Sequence, residues 1–287
     1  MFGPCVKREA ALRERPRFLC YRAEMRYFDA HCHVQFDAYA KDRAAVLAAM
    51  HKAEVGGLVV GTDSTTSQLA VELADGKELF ASVGLHPNDK PNEGYNDEYY
   101  ESLAQHPNVI AIGECGLDYF RPEDPEAEKT RQKEVFAKHI RLAGRTGKPL
   151  MIHARPSKGS MDAYEDAFSM VEDAKKEYPN LLGNMHFFVG NKDIAQKFLT
   201  LDFTFSYTAV LTFTSDYDEV VRSIPLRNIL AETDAPYVAP ASNRGKRNDP
   251  LAVMAVVAAI ARIRGEEEEE VREALLANAT RVFRLPA

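Results

Sequence analysis

The segment YFDAHCHVQF, residues 27–36, decides how the rest of the chain is interpreted. It places His31 and His33 two residues apart at the end of a short apolar run. Side chains at i and i+2 of a strand share a face, so a strand over 27–31 predicts both imidazoles on one side and Cys32 on the other. Two convergent imidazoles are typical of a metal site, although a pair of solvated surface histidines explains this stretch equally well.

Short apolar and β-branched runs recur along the chain from this point. The predicted strands cover residues 27–31, 57–61, 79–85, 109–114, 149–153, 181–187, 203–207 and 228–233. Amphipathic helical patterns such as 42–53 and 134–146 lie between them. Strands that alternate with helices predict βαβ units and a parallel sheet. Eight units predict an α/β fold of the TIM (β/α)8 barrel type. A doubly wound open sheet is less favoured because His-Cys-His stands where that fold has a glycine-rich turn.

The overall composition limits the classes of function. The 287 residues carry 36 Lys and Arg against 43 Asp and Glu, a net charge of −7. This balance argues against a cationic coat for nucleic acid but permits a local basic patch, or metal ions that contact phosphate. No apolar run approaches the length of a membrane span. The four cysteines form no C-x-x-C pair, which indicates free thiols and a cytoplasmic location.

The chain divides into two parts by composition. Residues 1–24 are rich in Arg and lack the apolar core of a secretory signal, so we expect a poorly ordered N-terminal extension. Residues 25–287 contain no linker rich in Pro, Gly or Ser, so we expect them to form one barrel-sized domain. The acidic run at 266–270 is expected to open the last helix, where carboxylates suit the positive end of the helix dipole.

Side chains that commonly bind metals gather where the predicted strands end. They are His31, His33, His86, Glu114, His153, His186 and Asp234. This is the face on which barrel enzymes build their active sites. The remaining histidines, His51, His106 and His139, fall in predicted helical segments and are interpreted as surface or packing residues. Because most histidines lie at strand ends, we interpret His31 and His33 as part of a metal site rather than as solvated surface residues.

The number of these side chains predicts two divalent ions, since one ion typically takes three or four protein ligands. The predicted first site comprises His31, His33, Glu114 and Asp234, and the second His153 and His186, with Glu114 bridging. Paired ions roughly 3.5–4 Å apart generate hydroxide and stabilise an oxyanion. Glu114 and Asp234 are therefore the predicted catalytic residues, with Asp234 orienting or deprotonating water. Singly, Glu114 could be a buried structural carboxylate and Asp234 a helix cap.

Seven fragments in order resemble one family. They are FDAHCH, GLHP, AIGECGLDY, PLMIHAR, MHFFVG, AETDAPY and NRGKRNDP. They resemble the TatD family of metal-dependent hydrolases and deoxyribonucleases, from about Met25 to the C terminus. The resemblance implies a TIM barrel, a divalent-metal centre and cleavage of DNA, commonly from the 3′ end. It also implies metal ligands at His31, His33, Glu114, His153, His186 and Asp234, and a rim histidine at His86.

The chain departs from this family at two motifs. Val189 stands where the family often has a hydroxyl residue, which removes a hydrogen bond to substrate or to a ligand's neighbour. The motif His-Ser-Arg is here His153-Ala154-Arg155, which keeps the arginine. The ligand types nevertheless suit Zn, Mn or Co, whereas Mg would prefer more oxygen.

Basic residues near the predicted site are candidates for substrate binding. Arg155 lies two residues beyond His153 and could bind a phosphate with both nitrogens, or pair with a nearby carboxylate. Lys246 and Arg247 lie with Arg244 on the loop after the last predicted strand. They could follow a nucleic-acid backbone, or anchor the loop through salt bridges.

Three hypotheses for the function follow. The leading one is a metal-dependent phosphodiesterase acting on single-stranded or frayed DNA ends, most readily a 3′–5′ exonuclease. The alternative is an amidohydrolase-like enzyme that cleaves an amide, lactone or aminoacyl ester with the same pair of ions. A metal-storing or protein-binding barrel explains neither the open ligand set nor its position. No membrane association and no obligate protein partner are expected.

Overall fold

The computed structural model describes residues 25–88, 94–122 and 124–286, and the predicted extension over 1–24 lies outside them. The strands are β1 (Tyr27–Cys32), β2 (Val55–Val60), β3 (Leu79–Val83), β4 (Val109–Asp118), β5 (Leu150–Arg155), β6 (Gly183–Met185), β7 (Thr204–Tyr207) and β8 (Ile229–Ala231). The helices are α1 (Arg43–Lys52), α2 (Ser64–Leu73), α3 (Asp97–Ala104), α4 (Pro125–Thr146), α5 (Asp162–Glu177), α6 (Lys192–Leu199), α7 (Asp218–Ser223), α8 (Val253–Arg264) and α9 (Glu268–Phe283). Within the described ranges, no helix is both long and apolar enough to span a membrane.

The eight strands form one parallel sheet in sequence order, from β1 to β8. The sheet closes on itself just beyond β8, where Ala235 bridges Cys32 in parallel. The backbone nitrogen of Asp234 donates to the carbonyl of His31 at 2.9 Å, and that of His33 donates to the carbonyl of Ala235 at 2.8 Å. The predicted TIM barrel is confirmed, and the open sheet is excluded because its first and last strands would not meet.

Apolar side chains fill two separate regions. Inside the barrel, Phe28 from β1 packs against Phe80 from β3, and Phe283 from α9 closes the N-terminal end of the barrel beneath them. A larger layer lies between the strands and the surrounding helices and contains Cys32 and Cys115. Both cysteines are buried and free, and the place of Cys32 in this outer layer agrees with the prediction that it faces away from His31 and His33.

The strands β1 and β4 are irregular at the residues that bear on function. The register of β1 against β2 shifts between Asp29 and Cys32. Ala30 packs inside the barrel and Cys32 outside it, although strict alternation would put both on one face. Similarly, β4 shifts register against β5 between Ile112 and Cys115. Such bulges re-aim side chains and are common beside active sites.

Three predicted elements need correction. β4 does not end at Glu114 but runs on to Asp118, which keeps Glu114 inside the strand. α4 begins at Pro125 rather than at 134, since the Asp124 side chain caps the backbone nitrogen of Ala127 at 3.2 Å. His106 lies beyond the end of α3 and is not helical. The acidic run does open α9, as expected.

Two of the remaining histidines have the roles that the sequence predicts. His51 is exposed on α1 and contacts Glu78 at 2.9 Å. His139 is buried in α4, where its Nε2 accepts from the backbone of Leu85 at 2.9 Å and its Nδ1 donates to the carbonyl of Val135 at 2.9 Å. Burial lowers the pKa of His139 to about 4. The ring is therefore a neutral packing residue that joins α4 to the end of β3.

Acid should destabilise the barrel through His139. Unfolding returns its pKa from about 4 to 6.5, so the unfolded chain binds a proton that the folded chain does not. The stabilising contribution is complete above pH 6.5 and is lost as the pH falls to 4, by roughly 3 kcal/mol. His139→Gln should flatten this part of the curve of unfolding free energy against pH, measured by urea denaturation. His51→Gln is the matched control, and equal flattening in both variants would contradict the prediction.

Candidate metal centre

All seven metal-type side chains predicted from the sequence meet at the C-terminal mouth of the barrel. Three of them lie within strands β1, β4 and β5, and the other four lie in the residues that follow β1, β3, β6 and β8. Together with neighbouring aromatic residues they surround an open cavity of about 640 Å³, within the range of roughly 300–1,000 Å³ typical of ligand sites. Six of the seven line this cavity, and the seventh, His31, is fully buried with its Nε2 3.4 Å from Oε2 of Glu114. The structure therefore brings the whole predicted set together.

Glu114 occupies the centre of this arrangement. Its Oε2 lies 3.4 Å from Nε2 of His31 and 3.9 Å from Nε2 of His33. Its Oε1 faces three further imidazole nitrogens, at 3.1 Å in His153, 3.4 Å in His86 and 3.5 Å in His186. The two oxygens of one carboxylate thus face different histidines, and the stacked rings of His31 and His186, 3.6 Å apart, join the two sides.

Electrostatics keep Glu114 ionised. Burial of the side chain would raise its pKa, but the surrounding imidazoles, chiefly His86, His31 and His186, hold the pKa well below its usual range. An anionic carboxylate in this position attracts cations from both sides. Since each oxygen has its own set of nitrogens, the group is suited to bridge two positive centres.

The geometry of His31 and His33 is better suited to binding a cation than to a hydrogen bond between the two rings. Their Nε2 atoms are 3.1 Å apart, and Oδ1 of Asp234 lies 3.4 Å from the second and 3.8 Å from the first. Nδ1 of His33 lies 2.8 Å from the carbonyl oxygen of Val60 and therefore carries the proton that it donates. Nε2 then has a free lone pair that can bind a metal. Burial lowers the pKa of His31 to about 3, so this ring is neutral, and its Nδ1 has no hydrogen-bond partner among the described residues. Facing nitrogens beside a carboxylate form a donor set that a divalent ion satisfies.

Two buried carboxylates that the sequence analysis missed hold the other histidines. Oδ2 of Asp118 lies 3.0 Å from Nε2 of His153, and Oε1 of Glu232 lies 2.9 Å from Nδ1 of His186. Burial would lower the pKa of His186, but Glu232 and Glu114 raise it to about 10. Such carboxylates orient the ring and select which nitrogen faces a metal. A period-two pattern could have revealed them, because Asp118 follows Glu114 by four residues and Glu232 precedes Asp234 by two.

Glu232 is itself held by a chain of buried polar side chains inside the barrel. Its Oε2 accepts from Oγ of Ser206 at 2.5 Å, and its Oε1 accepts from the backbone nitrogen of Phe187 at 2.7 Å. Ser206 accepts from Nδ2 of Asn184 at 2.6 Å, and Thr204 donates to Oδ1 of Asn184 at 3.0 Å. Each member is fully buried and satisfied, so the chain can fix the carboxylate without an unpaired polar group.

The candidate substrate-binding residues divide into two groups. Arg155 lies exposed at the cavity rim, with its guanidinium carbon 3.9 Å from the centroid of the Phe120 ring. Among the described residues, no carboxylate lies within 4.0 Å of Arg155, which leaves its charge available. Lys246 is exposed but does not line the cavity. Arg247 is engaged elsewhere, since it binds both oxygens of Asp42 at 2.6 and 2.8 Å. For Arg247 the structure has the loop-anchoring arrangement.

Asp234 does not cap a helix. In the described chain no helix follows it directly; the backbone there turns, and Asp234 itself has a left-handed φ of 52°. The backbone nitrogen of Tyr237 donates to the carbonyl of Asp234 at 2.8 Å, which closes the turn. The side chain is thereby directed toward His33 rather than toward a helix terminus.

A TIM barrel whose mouth holds a buried carboxylate between groups of imidazoles belongs to the metal-dependent hydrolases. The model of one such family, described as TatD related DNase, matches residues 28–284. The chain belongs to this family.

Relatives and solved structures agree with this assignment. An uncharacterized metal-dependent hydrolase of Bacillus subtilis, YabD, is 34% identical over 263 residues, covering 90% of this chain and 99% of the relative. YcfH of Escherichia coli, also an uncharacterized metal-dependent hydrolase, is 31% identical over 266 residues, covering 90% of this chain and 96% of the relative. The crystal structure of YjjV, a TatD homolog from Escherichia coli, matches this chain with a TM-score of 0.80 at 26% identity. The match covers 91% of this chain and 99% of YjjV.

Glu114→Gln should lower metal binding on both sides of the carboxylate. A neutral amide is a poor ligand for two cations, so we expect an affinity loss of at least about 10–100-fold and a matching loss of bound metal. Metal content per protein by mass spectrometry after dialysis is the measurement, with folding checked by circular dichroism. Glu78→Gln, on the surface, is the control. Full metal content in a folded Glu114→Gln protein would rule out the bridging role.

Proposed function

We propose that the protein is a deoxyribonuclease that removes nucleotides from the 3′ end of single-stranded or frayed DNA with the help of two divalent ions. The observation that carries this proposal is Glu114, whose two oxygens face different imidazoles at the floor of an open cavity. The family description as a DNase supports DNA as the substrate.

The residues present would hold the two ions on either side of Glu114. The ligand atoms form three overlapping groups: His31, His33 and Asp234; His31, Glu114 and His186; and His86, Glu114 and His153. The first group would hold one ion beside Oε2 of Glu114, the last would hold the other beside Oε1, and His186 lies between them. Divalent ions in such a pair supply hydroxide at neutral pH and neutralise charge on the phosphate oxygens. The mixture of imidazole and carboxylate donors favours Zn, Mn or Co over Mg.

Asp234 is the carboxylate best placed to receive a proton from the attacking water. Its side chain is 14% exposed, against 5% for Glu114, 1% for Asp118 and 0% for Glu232. Only an accessible base can pass the proton on to solvent after each turnover. Asp118 and Glu232, which are sealed behind His153 and His186, orient those rings instead.

Asp234→Asn should separate chemistry from folding. Asparagine tolerates the left-handed backbone as aspartate does, so the melting temperature should stay near that of the wild type. Loss of the base should lower kcat by roughly 10²-fold or more. Turnover and thermal denaturation are measured on the same preparation. A large drop in melting temperature with specific activity retained would instead indicate a structural residue.

The shape of the cavity favours a chain end over a continuous strand. Its floor is sealed by the buried site residues and by the apolar interior of the barrel beneath them, so a polymer cannot thread through. A volume of about 640 Å³ suits one nucleotide and its phosphate far better than a duplex. Arg155 at the rim offers a planar cation to a phosphate of the adjacent residue.

Cleavage of a short 3′-labelled oligonucleotide should require divalent metal and weaken as NaCl is raised. Because the net charge of −7 repels DNA, binding depends on the metal centre and on local cations. Arg155→Ala and Lys246→Ala should each raise KM and flatten the salt dependence by about one unit of slope. Lys176→Ala, whose lysine pairs with Asp173 on α5, is the control.

The opposite result would identify a different reaction. An absence of oligonucleotide cleavage with Mg, Mn, Co and Zn, together with turnover of an amide, lactone or aminoacyl ester, would assign the protein to amidohydrolase-like chemistry. Little dependence on salt is expected for a small neutral substrate.

A further inference from the structure

Tyr237 is unusual in its exposure. It is 55% exposed, and it is the single large apolar side chain that stands open to solvent in the described part of the chain. Its ring lines the cavity mouth and lies 6.4 Å from the ring of His33, at 68° to it. Two half-buried aromatic residues, Phe36 and Phe187, line the same cavity. An exposed aromatic face beside a reaction centre is suited to bind a flat apolar group.

Hydrogen bonds hold the backbone that carries Tyr237. Its own nitrogen is bonded within the turn at Asp234. The backbone nitrogen of Asn248 donates to the carbonyl of Pro236 at 3.0 Å. The Asn248 side chain donates to the carbonyls of Thr233 at 3.1 Å and Val238 at 3.3 Å. The segment on both sides of Tyr237 is therefore fastened, so the ring is presented at a fixed place.

The basic loop over 243–248 supplies this fastening. Tyr39 donates its hydroxyl to the carbonyl of Asn248 at 2.6 Å. Arg247 donates to the carbonyl of Ala38 at 2.7 Å, binds Asp42, and lies 4.5 Å over the Tyr39 ring. These contacts tie the loop to the segment before α1. Arg247 thus acts on the position of Tyr237 rather than on a phosphate.

We propose that Tyr237 stacks on the unpaired base of the nucleotide bound in the cavity, and that this contact makes the enzyme select unpaired DNA ends. This inference rests on the proposed function. A terminal base in a duplex must be unpaired and unstacked before it can reach a ring inside the cavity mouth, whereas an unpaired terminal base can move onto the ring without that cost. Stacking tolerates every base, so the contact selects strandedness rather than sequence.

The surroundings favour a base over a protein or membrane as the partner of the ring. One exposed ring is far smaller than the apolar patches of several hundred Å² that mark protein or membrane surfaces. The ring also stands at the entrance to a cavity floored by ionisable groups, where a substrate with an apolar face and a charged group fits both. A nucleotide has this combination.

The experiment compares Tyr237→Ala and Tyr237→Phe with the wild type on two oligonucleotides. One is single-stranded with a normal 3′ end, and the other has an abasic 3′-terminal residue. Tyr237→Ala should raise KM about 10-fold on the normal substrate with kcat within about 2-fold, and Tyr237→Phe should resemble the wild type. On the abasic substrate all three proteins should have the same KM. A rise in KM of equal size on both substrates, or no rise on either, would overturn the stacking role.

A binding measurement separates this inference from the proposed function. An oligonucleotide with 2-aminopurine at its 3′ end loses fluorescence when the base stacks, whether or not cleavage occurs. Quenching by the wild type and Tyr237→Phe but not by Tyr237→Ala supports stacking even if no protein cleaves DNA. Cleavage by all three proteins with equal quenching would leave the nuclease intact and remove Tyr237 from base recognition.

Discussion

The site depends on the burial of one negative charge. Removing a carboxylate from water costs several kcal/mol, and in the described part of the chain the imidazole groups around Glu114 compensate this cost. Those imidazoles in turn need partners, which Asp118 and Glu232 provide for two of them. Carboxylates and imidazoles thus alternate across the site, and the hydrogen bonds between them hold the side chains in place. This cluster is compatible with divalent metal, because facing lone pairs and an anionic carboxylate leave positive charge as the missing component.

Closure of the barrel and formation of the site are the same event. The bonds between His31, His33 and the segment 234–235 join β1 to the chain beyond β8, and they also position Asp234. Below them, the buried Asp29 accepts from the backbone and hydroxyl of Thr233 at 2.8 and 2.5 Å. The seam therefore combines a single bridge between the two chain segments with side-chain bonds from Asp29. A chain that fails to close cannot form the metal centre.

The sequence predicts the barrel and the gathering of the metal-type side chains at its mouth, since strand periodicity and the ends of parallel strands are local signals. It fails where geometry departs from the regular pattern. The register shifts in β1 and β4 reverse which face a residue occupies, so alternation counted from Phe28 would turn His31 outward. Asp118 escaped notice because β4 was expected to stop at Glu114. The role of Arg247 depends on Asp42, a partner 205 residues away that no local pattern can indicate.

The polar chain from Glu232 through Ser206 to Asn184 has a consequence for protein engineering. Barrel interiors are usually layered with branched aliphatic side chains, and a thermostabilising redesign would fill these positions with valine, isoleucine or leucine. Such substitutions would add hydrocarbon to the core and could raise the melting temperature. They would also remove the Ser206 donor and leave Oε2 of the buried Glu232 unpaired, which weakens the support of this carboxylate for His186. This barrel therefore keeps part of its interior hydrophilic at the expense of maximal stability, and selection for heat resistance alone would erode its catalytic competence.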